Sequence, residues 1–125
     1  VSVLVDTSVL IDVLRGEVAA ADLLRDARAV GPLHASEVTR LEVLAGMRAQ
    51  EEVATRALLA VLTWHPLDEE VADKAGDLGR TWLPGNRGID AADLAIAATA
   101  VILDAQLFTK NVKHFPMFEG LSAPY

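Results

Sequence analysis

The sequence predicts an α/β sandwich around a mainly parallel sheet, on three observations. Short apolar runs of strand length alternate with longer segments whose apolar residues recur at helical spacing. The first run, residues 1–5 (Val-Ser-Val-Leu-Val), is β-branched and lacks the alternation of a half-exposed strand, which suits burial on both faces. The chain has 125 residues, 52% of them hydrophobic, with no repeat, linker or low-complexity segment, so a single domain over residues 1–125 is expected.

Each element has its own reason. Residues 8–15 read as a short helix stopped by Gly16. Residues 17–28 read as a second helix with Ala20, Leu23, Leu24 and Ala27 at helical spacing, and Gly31-Pro32 then breaks the chain. Residues 33–35 make a second strand. Ser36 is the N-cap of a helix whose second residue, Glu37, suits the positive helix end, and which runs through Val38, Leu41, Glu42 and Ala45 towards Arg48. Residues 51–62 form the next helix, with Val53, Ala57, Leu58 and Val61 on one face. Residues 64–67 are a third strand and residues 68–82 a helix opened by acids. Residues 83–88 (Leu-Pro-Gly-Asn-Arg-Gly) are a loop by their turn residues. A helix over 90–103, a strand over 106–109, a helical turn over 112–115 and a final strand over 121–125 complete the order.

Composition narrows the function classes. A formal net charge of −7 argues against a protein that holds nucleic acid mainly by neutralising phosphates, although a metal-assisted nuclease is compatible with it. An acidic chain also suits a basic binding partner. No run reaches the roughly 18 apolar residues of a membrane span. Absence of cysteine removes disulfide and thiolate chemistry, and no basic stretch precedes the first apolar residues, so a cytoplasmic location is expected.

Three carboxylates stand where a core tolerates them poorly. Asp6 ends the first strand, Glu42 lies in a helical apolar stripe, and Asp93 opens an apolar segment whose only other polar residue before Asp104 is Thr99. Buried unpaired carboxylates are costly, and several in one site repel each other; a cation relieves both problems. Each acid also has a plainer reading. Asp6 sits at the carboxyl end of a strand, where α/β folds bind ligands, and would equally cap the helix that follows. Glu42 shares a face with Val38 and Gly46, whose missing side chain leaves room for a ligand; the plainer reading is a glutamate at the helix edge paired with Arg40 or Arg48. Asp93 falls three residues after Asp90, as in a capping box; functionally it points back at Asp6, with Asp90 supporting it.

Asn111 follows a strand end and would bind a metal-held water or a phosphate, or else be a turn asparagine. Thr109 would orient a neighbouring carboxylate by its hydroxyl. His34, His65 and His114 lack the spacing of a zinc site; His34 and His65 read as structural, and His114 stands near the candidate site. Trp64 and Trp82 read as core residues. Residues 84–88 match no nucleotide-binding fingerprint.

Four segments together resemble PIN-domain ribonucleases, and among them the VapC-type toxins of bacterial toxin–antitoxin pairs. They are Val5-Asp6-Thr7-Ser8-Val9-Leu10-Ile11-Asp12, the helix from Ser36 to Gly46 with Glu42-Val43, the run Ile89-Asp90-Ala91-Ala92-Asp93-Leu94-Ala95-Ile96-Ala97-Ala98-Thr99-Ala100, and Leu107-Phe108-Thr109-Lys110-Asn111-Val112-Lys113-His114-Phe115. The resemblance implies a PIN-like three-layer α/β/α sandwich and metal-dependent hydrolysis of RNA that leaves a 3′-hydroxyl and a 5′-phosphate. It implies that Asp6 and Asp93 hold Mg²⁺ or Mn²⁺ directly. Glu42 then binds through water, holds a second ion or orients the nucleophile, and Asp90, Thr109 and Asn111 support. Many members carry a fourth acid where this chain has Asn111 and then His114. It implies as partners an RNA substrate, a small basic antitoxin and a second copy of the chain. The two helices within residues 37–62 carry more apolar residues than one stripe needs, among them Leu41, Met47, Val53 and Leu58, which favours a groove for another chain's helix.

Three other readings compete. A phosphoreceiver signalling domain needs adjacent acids after its first strand, whereas Asp6 is followed by Thr7-Ser8, and Asp68 and Lys110 align poorly with its other residues. An aspartyl-phosphate hydrolase wants a second Asp two residues after the first, where Ser8 stands. A PIN-like module without catalysis would use the same acids only to dock a partner, and EDTA-sensitive cleavage separates it from the enzyme.

Overall fold

The structure is a computed structural model that describes residues 2–125. Strand β1 (Val3–Val5) is followed by helices α1 (Thr7–Leu14) and α2 (Val18–Val30), strand β2 (Leu33–Ser36) and helix α3 (Glu37–Ala45). A 3-10 turn (Ala49–Glu51) leads into α4 (Glu52–Leu59), strand β3 (Leu62–His65), helices α5 (Glu69–Trp82) and α6 (Ala91–Leu103) and strand β4 (Gln106–Phe108), with a second 3-10 turn at Val112–His114. All pairings are parallel, and the sheet order is β3-β2-β1-β4.

Three layers result. Strand residues alternate in direction, so Val3, Val5, Leu33, Ala35, Leu62 and Phe108 meet Val9, Leu10, Leu24, Val43 and Leu59 of α1 to α4 on one face. Leu4 and Leu107 turn the other way and meet Ile96, Ala97 and Ala100 of α6 together with Phe115. β1 is buried throughout, as its unalternating sequence predicts for a central strand. Helix α6 is covered on nearly all sides, with every residue from Asp93 to Ala100 buried, because small side chains let it lie close to the sheet and to α5. Asp104 ends it in a left-handed conformation, which aspartate adopts more readily than most residues.

Four sequence expectations shift. The third strand is Leu62–His65 rather than residues 64–67. Leu62 pairs with Leu33 and fills the core, while Pro66 lacks the N–H needed to extend the ladder. The preceding helix therefore ends at Leu59, whose carbonyl accepts the Trp64 indole N–H at 2.9 Å. That helix also starts one residue late, at Glu52 directly after the 3-10 turn, and buries Thr55 and Leu59; Val53 is 85% exposed. The helix before it stops at Ala45, with Gly46 as its cap, short of Arg48. No strand forms over 121–125, where Pro124 again cannot donate and Tyr125 packs against the core instead. The part of the first predicted strand at Val1 lies outside the described residues.

Candidate functional site

The strand order reverses at β1. From β1 the chain steps outward to β2 and β3, then returns to place β4 on the opposite side of β1. In open α/β sheets such a switch point opens a crevice at the carboxyl ends of the strands, here between β1 and β4. Asp6 and Thr109 are the first residues beyond those two ends.

Asp6 is 3% exposed and caps α1, its side chain accepting from the Ser8 N–H at 3.4 Å. The same oxygen, Oδ2, accepts the Ser8 hydroxyl at 2.7 Å and the fully buried Thr109 hydroxyl at 2.8 Å. Those hydroxyls in turn accept the backbone N–H of Lys110 (3.1 Å) and Asn111 (2.9 Å). A charged acceptor is thus held by hydroxyls that are themselves polarised by peptide donors.

Glu42 is exposed on α3, so it does not lie in a buried stripe; Thr39 and Val43 occupy that face. Its position is nevertheless fixed, because the Thr7 hydroxyl donates to Oε1 at 2.7 Å. Thr7 has one proton, so its 3.0 Å contact with buried Thr39 has Thr39 as the donor. Arg40 pairs with Glu37 and stacks on Trp64, and the Arg48 backbone N–H bonds Glu51, so neither arginine makes the predicted pair with Glu42. A Cβ at Gly46 would meet nothing closer than the Glu42 carbonyl at 3.7 Å, so the space beside that residue is open.

Asp93 also sits at the carboxyl edge of the sheet, since α6 turns tightly into β4 and runs antiparallel to it. The capping box predicted from Asp90 and Asp93 forms, with the Asp93 N–H donating to Asp90 at 2.9 Å and the Asp90 N–H to Asp93 Oδ2 at 3.1 Å. His114 Nδ1 stands 3.2 Å from the same oxygen. Asp93 is 8% exposed, and its pKa is pushed up to about 6. Burial is the main cause and the Asp90 carboxylate adds to it, while the Asp90 N–H and His114 oppose it.

The Asn111 side chain is exposed and makes no hydrogen bond among the described residues; only its backbone joins the network. Thr7 and Ser8 hold the acids, yet the sequence reading left both aside. The run of hydroxyl residues immediately after a strand-ending Asp was the available signal. Tyr125 also closes on this region. Its hydroxyl donates to Asp12 Oδ2 at 2.5 Å, and the Lys110 ammonium lies 4.4 Å from its ring centroid. Burial first, then Asp12, with Glu17 and Asp6 contributing, holds that phenol above its ordinary value. Asp68 caps α5, which removes it from any phosphoreceiver arrangement.

One feature of the acids bears on a cation. Among the described residues every hydrogen bond to the carboxylates of Asp6 and Asp93 goes to Oδ2 and the one to the Glu42 carboxylate goes to Oε1, so each carboxylate is anchored by one oxygen and keeps the other free of protein donors. Among the described residues no three His, Cys, Asp or Glu side chains are gathered tightly enough to enclose an ion. Magnesium does not need such a cage, because it keeps several waters and takes one or two carboxylates. The hard-oxygen donors present fit that kind of ion and not zinc.

Comparison with known proteins agrees with this layout. The PIN domain family profile matches residues 3–116. Ribonuclease VapC19 of Mycobacterium tuberculosis is 46% identical over 123 residues, covering 98% of both chains. Ribonuclease VapC10 of the same organism is 46% identical over 123 residues, covering 98% of this chain and 92% of its own. Among solved structures, a toxin–antitoxin complex from Klebsiella pneumoniae superposes with a TM-score of 0.83 at 28% identity, over 99% of this chain and 98% of that one. With a family match spanning nearly all of its length, full-length relatives at 46% identity and a parallel sheet of this order, this chain belongs to the PIN-domain family, in its VapC group.

Proposed function

We propose that this chain is an endoribonuclease that hydrolyses RNA phosphodiester bonds with Mg²⁺ or Mn²⁺, and that it acts as the toxin of a toxin–antitoxin pair. The observation that carries this reading is the set of carboxylates each fixed by one oxygen beside the switch-point crevice. Asp6 and Asp93 would hold the ion through their free oxygens, with Glu42 binding through water or orienting the nucleophile. A bound dication of this kind would activate a water and neutralise charge on the scissile phosphate. Ser8 and Thr109 keep Asp6 in one orientation, Thr7 does the same for Glu42, and Asp90 fixes Asp93 by capping α6. The backbone N–H of Asn111 is engaged, which leaves its amide side chain to meet a phosphate or water.

The VapC relatives carry the ribonuclease name, and the Klebsiella structure is a toxin–antitoxin complex. A cleft of about 400 Å³ supports the partner half of the proposal. It runs beside Glu42 between α1, α3 and the turn before α4, and is lined among others by Ile11, Leu14, Val43 and Met47 with Arg15 and Glu51 at its polar margin. An apolar floor next to an acidic pocket suits an amphipathic helix ending in a basic side chain. A second copy of the chain is part of the same proposal and is tested by sedimentation at micromolar concentration.

Among the described residues no three ligands gather around one point, and this spread of the acids suits one rival, a catalytically weak module that binds RNA or protein. Incubating purified protein with total cellular RNA separates the two. A small set of defined products, abolished by EDTA and restored by Mg²⁺ or Mn²⁺, is the expected result. A net charge of −7 makes indiscriminate RNA binding unfavourable, so uniform degradation would contradict the proposal. Cleavage indifferent to EDTA, or none at any metal concentration, would overturn it.

A further inference from the structure

One pair of titratable side chains takes no part in the carboxylate crevice. His34 of β2 and His65 of β3 sit on neighbouring parallel strands, where Ser36 pairs with His65 and His34 with Thr63. The two imidazoles are therefore diagonal neighbours on one face of the sheet, opposite the face that buries Leu33, Ala35 and Leu62. His34 Nδ1 and His65 Nε2 are 2.8 Å apart, with ring centroids at 4.9 Å and planes tilted by 46°. Both rings are half-buried, and β3 is an edge strand, so solvent and small ions reach them.

A plain hydrogen bond between two neutral rings accounts for the contact, but the geometry also suits a chelate. Two nitrogens bound about 2.0–2.1 Å from one ion stand about 2.9 Å apart at a square corner and about 3.3 Å apart in a tetrahedron. The present spacing is already close to the first, so a chelate needs the two rings to turn until both lone pairs aim at one point and leaves the strands where they are. Burial, with the nearness of His65 second, holds His34 below the ordinary imidazole value, so the ring is in its neutral, ligating form at pH 7.

We propose that His34 and His65 form a two-imidazole site for a borderline transition-metal dication of the Cu²⁺, Ni²⁺ or Zn²⁺ class, separate from the carboxylate crevice. Water completes the coordination shell. Mg²⁺, which prefers oxygen, does not compete there. The bound ion ties the edge strand β3 to β2, and β2 leads directly into the helix that carries Glu42.

The test is a calorimetric titration of the full chain with Ni²⁺ in millimolar Mg²⁺, repeated for His34→Gln, His65→Gln and His114→Gln. The expected result is one ion per chain, bound at least about tenfold more weakly in either of the first two variants and equally well in the third. Wild type, but neither His34→Gln nor His65→Gln, should melt roughly a few degrees higher with Ni²⁺ present. Affinity that survives both single substitutions, or that falls only in His114→Gln, would overturn the site. If a variant fails to fold, paramagnetic broadening of wild-type amide signals answers the same question. Broadening centred on residues 34 and 65 supports the proposal, and broadening centred elsewhere rejects it.

Discussion

Asp93 makes the stability of the fold depend on pH through a single proton. An acid whose folded pKa is raised binds its proton more tightly in the native state, so its contribution falls as pH rises from the unfolded value of 3.8 through about 6. Above that window the ionised group withholds at most about 3 kcal/mol from the metal-free fold, and below it nothing. Asp93→Asn keeps an acceptor for the Asp90 N–H and removes the charge. In EDTA the variant should therefore be more stable than wild type at pH 7.5, by up to about 3 kcal/mol, with the gap closing towards pH 4. Urea denaturation at the two pH values measures it, and a gap that does not change with pH would show that Asp93 carries no such strain. Thr109→Val tests the opposite case. It deletes a buried hydroxyl that serves a charged acceptor at 2.8 Å, so a loss of about 1–3 kcal/mol is expected. RNA cleavage should fall about tenfold or more through kcat, because Asp6 loses orientation while the RNA contacts stay. Unaltered kcat would remove Thr109 from the site. At this scale residue pattern carries part of the picture. The burial of Asp6 and Asp93 was legible, because acids that end a strand or open a helix in apolar surroundings are drawn inward with their neighbours. Glu42 was legible as an acid, though its burial was misread, since helical periodicity locates a face only to within one residue. Thr7 and Ser8 were missed because their importance depends on which side chains the fold brings opposite them.

Helix α6 shows how one carboxylate can serve structure and, in the proposed site, function as well. Its first turn supplies Asp93, and its capping box uses that same carboxylate. The two roles separate by substitution at Asp90. Asp90→Asn retains the cap acceptor, whereas Asp90→Ala leaves the Asp93 N–H unmatched and should cost about 1 kcal/mol. If Asp90 acts only by capping, Asp90→Asn keeps both thermal stability and RNA cleavage, and Asp90→Ala lowers the melting temperature before it lowers kcat. Loss of cleavage in a fully stable Asp90→Asn protein would instead assign work to its charge. Element identity was readable along most of the chain, because the strand runs and amphipathic helices are short and well punctuated. The third strand was misplaced for a physical reason. Trp64 is a strong strand former and Leu67 is apolar, but the ladder is set by Leu62 opposite Leu33, and Pro66 ends it. Likewise, residues 121–125 are apolar enough for a strand, yet Tyr125 finds a better partner in Asp12.

At the level of the whole molecule, an acidic protein must reconcile its charge with an anionic substrate and with a neutralising partner. In the proposed site Asp6 and Asp93 face the crevice, and the cleft beside α3 carries Glu42 and Glu51, so these acids would repel RNA unless a dication offsets them. A basic helix from a partner gains from the same charges, and its apolar residues gain from the floor formed by Ile11, Leu14 and Met47. The expected occupant is therefore a small basic protein that blocks the crevice by electrostatics and by burial together. Replacing Met47 with Asp places a charge on the apolar floor without touching any hydrogen bond to the three acids. Co-expression of this chain with the product of the neighbouring reading frame should give a complex that survives purification and relieves growth arrest. The Met47→Asp chain should lose that complex, with affinity weakened roughly a hundredfold or more, and should remain toxic when co-expressed. Retention of a tight complex by the variant would move the partner to another surface. Failure of the wild-type pair to co-purify would remove the antitoxin and leave the nuclease to be judged on its cleavage of RNA.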